Sequence, residues 1–130
     1  MVYEIPVKEI TKENFSEFGK YFNEKGSAPT FSDTSFDWWN EVGLVDIKGG
    51  LSFGVVRPRY NAGFSERVFE RHNGTPEILI PLDEDVIVLV GKRDAFNGKG
   101  PEREDFEAFL APRGTAVCIG AGVWHHAPMV

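Results

Sequence analysis

Arg113-Gly114-Thr115-Ala116-Val117-Cys118-Ile119-Gly120-Ala121-Gly122-Val123-Trp124-His125-His126-Ala127-Pro128 is the stretch on which the fold reading turns. A short apolar run ends at a Gly-x-Gly turn, and a Trp and two adjacent histidines follow it. Such a run reads as a strand, and the glycines permit the φ > 0 of a sharp reversal. Two of the chain's three histidines stand here. The third, His72, lies in Glu70-Arg71-His72-Asn73-Gly74-Thr75-Pro76-Glu77. Residues two apart on a strand share a face, so Glu70 and His72 project together and Arg71 turns away. Asn73-Gly74 is a hairpin signal, and Glu77 is expected to open the next strand. Glu70, His72, Glu77 and His125 then converge as two imidazoles and two carboxylates. That donor set suits Zn, Fe, Ni, Mn or Cu without choosing among them.

Around these two segments the chain reads as short strands separated by turns. Candidate strands cover residues 51–57, 64–70, 77–82, 86–91, 115–119 and 123–126, and residues 38–47 are expected to start the sheet. Regular spacing of such strands implies an antiparallel sandwich or barrel. Residues 2–7 suggest a strand interrupted at Pro6. Thr11 can cap a helix over residues 12–24, with Phe15, Phe18 and Phe22 on one face and Gly26 ending it. Residues 93–101 form a polar loop, and Pro101 starts a short acidic helix with Phe106, Phe109 and Leu110 facing inward. The expected organisation is a single domain over 1–130. Residues 1–50 supply an N-terminal strand, helix and loop, and residues 51–130 the core with both motifs.

Composition narrows the function classes. A chain of 130 residues buries roughly two-thirds of its unfolded surface, enough for an ordinary core. Eleven Phe and three Trp suit an aromatic-lined interior. The formal net charge of −6 argues against nucleic acid or an anionic membrane as partner. The lone Cys118 lies in an apolar strand, so no disulfide framework is expected and a cytoplasmic, reducing compartment is. The start, Met-Val-Tyr-Glu-Ile-Pro, has neither a basic region nor an apolar run, so no signal peptide or membrane span is expected.

The two segments resemble the paired motifs of the cupin superfamily. In the first, Glu70, His72 and Glu77 match, with Glu70 in place of the usual His. In the second, Gly114, Gly120, Gly122 and His125 match, with Gly120 in place of Pro. Within the cupins, residues 51–129 are similar to the ureidoglycolate lyase family, through Glu70-Arg71-His72, the apolar runs at 78–82 and 86–90, residues 106–110, and Val123-Trp124-His125-His126. The resemblance implies a mainly β, cupin-type antiparallel β-barrel (a double-stranded β-helix) with a short N-terminal helix outside it. The family usually has Gln at the position of Glu77 and Tyr-His at Ile119-Gly120, and it continues past the double His with another strand. An edge left open here is expected to be covered in a homodimer, with Trp38 and Trp39 among the contacts.

The activity the resemblance implies is release of urea and glyoxylate from ureidoglycolate. That chemistry needs a base for the hydroxyl proton and an acid for the departing nitrogen. Glu70, His72, Glu77 and His125 are the expected catalytic set, and the same four are the expected ligands if a divalent metal takes part. The ligand is expected to be a small anionic organic acid. Arg57 is assigned to its carboxylate because Arg offers a bidentate fork, with Trp124 and His126 as further substrate contacts. Trp124 also reads as packing. Adjacent strand residues face opposite ways, and the resemblance implies that His126 is the one outside the cavity, because only His125 sits at the cupin spacing from Gly122. The alternative is a metal-binding cupin of different or no catalytic activity that binds a small carboxylate or sugar.

Overall fold

The computed structural model describes residues 2–60 and 68–130. The expected strand at 64–70 falls mostly outside them. The described residues form nine short strands: β1 (Val7–Glu9), β2 (Gly19–Phe22), β3 (Phe31–Ser32), β4 (Asp37–Trp38), β5 (Glu77–Leu79), β6 (Val86–Gly91), β7 (Phe106–Ala111), β8 (Ala116–Ile119) and β9 (Trp124–His125). Helical structure among them is one 3-10 turn at Arg103–Asp105. The fold is mainly β, as expected.

Two sheets position the site. One has the order β1-β7-β6-β9, with β1 parallel to β7 and the other pairs antiparallel. The second has the order β2-β8-β5, all antiparallel. A separate hairpin pairs β3 with β4. Among the described residues no ladder joins the two main sheets into a closed barrel. They face each other across a shared core. Val86, Val88, Val90, Phe109 and Ala111 come from the first sheet, and Tyr21, Val117 and Ile119 from the second. The spacing of these residues follows the two-residue alternation of strands. Phe15 and Phe18 fill the centre against Phe109, with ring centroids 5.2 and 5.9 Å away. The outer face of the first sheet carries a second layer of Leu89, Phe106, Ala108 and Met129, with Phe69 packed on it.

The N-terminal helix does not form. Residues 12–18 make consecutive turns instead. Thr11 and Asn14 exchange side-chain to backbone hydrogen bonds, as at a helix start, and Phe15 and Phe18 do turn inward. The chain then leaves the turn at Gly19, because β8 offers four residues of ladder to residues 19–22. Gly19 is needed for that pairing: a Cβ there would stand 1.9 Å from the Cys118 carbonyl oxygen.

The acidic helix after Pro101 is likewise replaced, by the 3-10 turn and β7. Glu and Ala are poor strand formers, so Phe-Glu-Ala-Phe-Leu-Ala reads locally as helix. Its place between β1 and β6 decides otherwise. In β7 Phe109 faces the inner core while Phe106 and Ala108 face the outer layer.

Two further expectations are corrected. Residues 51–57 form no strand, and Leu51, Phe53 and Val55 are exposed. Of residues 38–47 only Trp38 is in a strand, and it belongs to the hairpin and not to either main sheet.

Candidate functional site

The site lies where one end of the two inner faces converges. Glu70 pairs with His125 through both backbone bonds, each 2.9 Å. Two residues on, the His72 carbonyl accepts a 2.8 Å bond from the Gly122 N–H. Residues 70–72 therefore run antiparallel beside β9. His125 pairs in turn with Val90 of β6, which places its side chain on the inner face. Glu77 pairs with Ile119 of β8, on the inner face of the opposing sheet. Asn73-Gly74 is thus not a hairpin turn. It carries the chain from one sheet to the other, and that crossing sets Glu77 opposite Glu70 and His72.

The four side chains meet closely. One ligand atom from each of Glu70, His72, Glu77 and His125 lies within 4.8 Å of all the others. His72 Nε2 is 3.0 Å from Glu77 Oε2. His125 Nε2 is 3.6 Å from Glu77 Oε2 and 3.8 Å from Glu70 Oε1. Gly122 makes the approach possible, since it turns the chain into β9 with a positive φ of 80°.

His125 is the anchor of the cluster. It is buried, and its Nδ1 lies 3.0 Å from the Val123 carbonyl oxygen. A carbonyl only accepts, so Nδ1 carries the hydrogen and donates it. Nε2 is then turned into the cluster, where it is buried and lacks a hydrogen-bond partner. Burial pulls the pKa of His125 down, but Glu77 first, then the bond to the Val123 carbonyl and the charge of Glu70, outweigh it and leave the pKa raised. The Glu77 carboxyl is lowered, chiefly by His125, against the cost of its own burial and with help from His72.

This arrangement fits a divalent cation. Two carboxylates and two imidazoles are ordinary ligands for Zn, Fe, Ni or Mn. An orphaned Nε2 on an imidazole whose other nitrogen donates to a carbonyl is the pattern of a ligating histidine. A dication would also cancel the two carboxylate charges.

Arg57 is exposed in the irregular segment, and among the described residues no ion pair joins it to Glu70 or Glu77. Its expected position depended on a strand at 51–57 that does not form. Trp124 pairs with Gly91, on the face opposite His125. The Arg71 guanidinium lies over its ring at 4.5 Å and Phe96 packs beside it at 4.7 Å. His126 sits by Phe69, with ring centroids 6.3 Å apart. What the sequence reading missed is the Val123 carbonyl, which orients His125. A backbone group leaves no signal in residue type.

The sequence matches the profile of the family described as ureidoglycolate lyase over residues 2–130. The chain belongs to the ureidoglycolate lyase family. A ureidoglycolate lyase from Schizosaccharomyces pombe (strain 972 / ATCC 24843) is 28% identical over 144 residues, covering 93% of this chain and 74% of that protein. Members of this family are cupins, so the cupin resemblance of the two motifs agrees with the match. Among the described residues no helix is long and apolar enough to cross a membrane.

Proposed function

We propose that this ureidoglycolate lyase family member is a carbon–nitrogen lyase that splits ureidoglycolate, or a closely related α-hydroxy acid amide, into glyoxylate and urea. Glu70, His72, Glu77 and His125 form its site. The observation that carries the reading is the four-donor cluster, whose donor atoms lie within 4.8 Å of one another in a chain of this family.

The reaction is a retro-addition. The hydroxyl loses its proton, its oxygen becomes the carbonyl of glyoxylate, and the carbon–nitrogen bond breaks. The departing nitrogen keeps the bonding pair and takes a proton. The chain therefore needs a proton acceptor and a proton donor within reach of one carbon. The hydrogen-bonded His72–Glu77 pair is suited to accept. His125, held by Val123, is suited to deliver from Nε2. A divalent ion held by the four side chains would supply polarisation of the substrate's hydroxyl and carboxylate oxygens. The same lone pairs serve either duty. Activity that survives chelation assigns the acid–base roles to the side chains, and activity lost on chelation and restored by metal assigns them to the ligand set.

The ligand class we infer is a small anionic organic acid, because a metal between Glu70 and Glu77 would turn an anion-repelling site into an anion-binding one. A second reading draws on Arg57, which is exposed and makes no ion pair with Glu70 or Glu77 among the described residues: a metal-binding cupin that holds a small carboxylate or sugar without cleaving it. The test is metal analysis of the purified protein followed by a glyoxylate-release assay on ureidoglycolate. Release that is abolished in His125→Ala supports the lyase. Metal-loaded protein that binds glyoxylate but releases none from ureidoglycolate supports the second reading.

A homodimer and a cytoplasmic setting complete the proposal. Exposed Phe31, Phe36 and Trp38 support the first, as apolar surface that a second copy would cover. The free, buried Cys118 supports the second. Light scattering that finds only a 14.6 kDa species would overturn the dimer.

A further inference from the structure

We infer that Arg93 is a positioning residue for the site, holding from outside the turn that leads to His125 and bonds the backbone of His72; this rests on the cluster being the functional centre. Arg93 Nε donates to the Ala121 carbonyl at 3.0 Å, and Nη1 donates to the Glu17 carbonyl at 3.1 Å. One guanidinium thus ties the 120–122 turn to the end of the 12–18 turns. The same 120–122 turn donates from Gly122 to the His72 carbonyl, and β9 with His125 begins two residues later. The Arg93 carbonyl accepts from Arg71 Nη1 at 3.3 Å, and Arg71 lies over Trp124. Arg71 stands between Glu70 and His72, and Trp124 stands beside His125. The two arginines therefore clamp, from the outer side, the two segments that bring three of the four donors.

Gly120 lies directly beneath the Arg93 guanidinium. Its φ is not among the positive ones, so its backbone does not require glycine. Its space is tight: a Cβ there would stand 2.7 Å from Arg93 Nη2 and 3.1 Å from the Phe18 carbonyl oxygen, so the guanidinium would have to shift. Lys in place of Arg93 would bring a single ammonium and no planar fork to bridge the two carbonyls.

The experiment compares wild type with Arg93→Ala, Arg93→Lys, Gly120→Ala and the Arg93→Ala/Gly120→Ala double variant. Three readouts are taken: Zn affinity by calorimetry, the visible spectrum of the Co-substituted protein, and exchange of the Gly122 amide in metal-free protein. Arg93→Ala is expected to weaken Zn binding by about 10- to 100-fold, as loss of outer-shell support does. It should also alter the Co spectrum and speed Gly122 exchange. Gly120→Ala should act in the same direction by displacing the guanidinium, and the double variant should be no worse than Arg93→Ala alone. Arg93→Lys should not restore wild-type affinity, and it carries the test if Arg93→Ala does not fold. Wild-type Zn affinity and Gly122 exchange in the Arg93 variants, or losses that add in the double variant, would overturn the inference. A wild-type protein that binds no Zn would sink the metal reading only, and Gly122 exchange then decides on Arg93.

Discussion

Residues 86–125 and residues 31–60 are both rich in large apolar side chains, yet only the first region buries them. Val88, Val90 and Phe109 are 0% exposed, whereas Phe53 is 88% and Val55 80% exposed. Hydrophobicity does not separate the two. Backbone partners do. β6 and β7 are interior strands with a neighbour on each side, and their two faces are covered by the inner core and the outer layer. Residues 51–60 pair with nothing among the described residues, and their alternating Leu51, Phe53 and Val55 have no sheet to face. The candidate site draws its precision from the first region. Glu77 and His125 take their places from the ladders to β8 and β6, and Glu70 from its bridge to His125. Arg57, in the second region, has no such placement.

The largest effect that would break this comparison is at Phe109. Phe109→Ala removes the ring on which Phe15 and Phe18 converge and should cost about 3–5 kcal/mol, as such deletions do. Phe53→Ser should stay within about 0.5 kcal/mol, as for surface positions elsewhere. Urea unfolding of the two variants checks the pair. Comparable losses would mean that residues 51–60 are buried in solution and that the contrast is wrong.

Metal binding sharpens the contrast next. His125→Ala removes the buried donor and should lower Zn affinity by at least about 100-fold, beyond the range of outer-shell losses. Arg57→Ala should leave Zn affinity unchanged. Calorimetry with Zn on both variants decides, and equal loss in the two would bring Arg57 back to the site.

The four-donor cluster was legible from spacing together with the cupin resemblance: strand alternation pairs Glu70 with His72, and the paired motifs bring Glu77 and His125 to the same site. Residues 86–91 were legible because Val-Ile-Val-Leu-Val combines β-branching with an unbroken apolar run. β7 and β2 were not. Phe106-Glu107-Ala108-Phe109-Leu110-Ala111 has helical local preferences, and Phe15, Phe18 and Phe22 have helical spacing. Both segments are strands at their pairing positions because distant partners claim their backbones. The direction of the Asn73-Gly74 turn was equally hidden, since a turn residue shows that the chain bends and not which sheet it joins.

The smallest expected effect is electrostatic and belongs to the metal-free protein. Glu77 is lowered from 4.5 in the folded chain. Its contribution to stability is present above that value and is lost as pH falls through the lower, folded pKa. His125 is raised from 6.5. Its contribution is complete below that value and is lost as pH rises through the higher, folded pKa. Both shifts arise mainly from the same contact, so EDTA-treated protein should be most stable between 4.5 and 6.5 and should weaken on either side. Glu77→Gln removes the acid limb directly. It also removes the largest influence holding His125 charged, and burial, which favours the neutral ring, is then opposed only by the Val123 carbonyl and Glu70. The alkaline limb should therefore shrink as well. Thermal melts of the two proteins across this range provide the measurement. An alkaline decline that persists undiminished in Glu77→Gln would show that His125 owes its charge to some group other than Glu77.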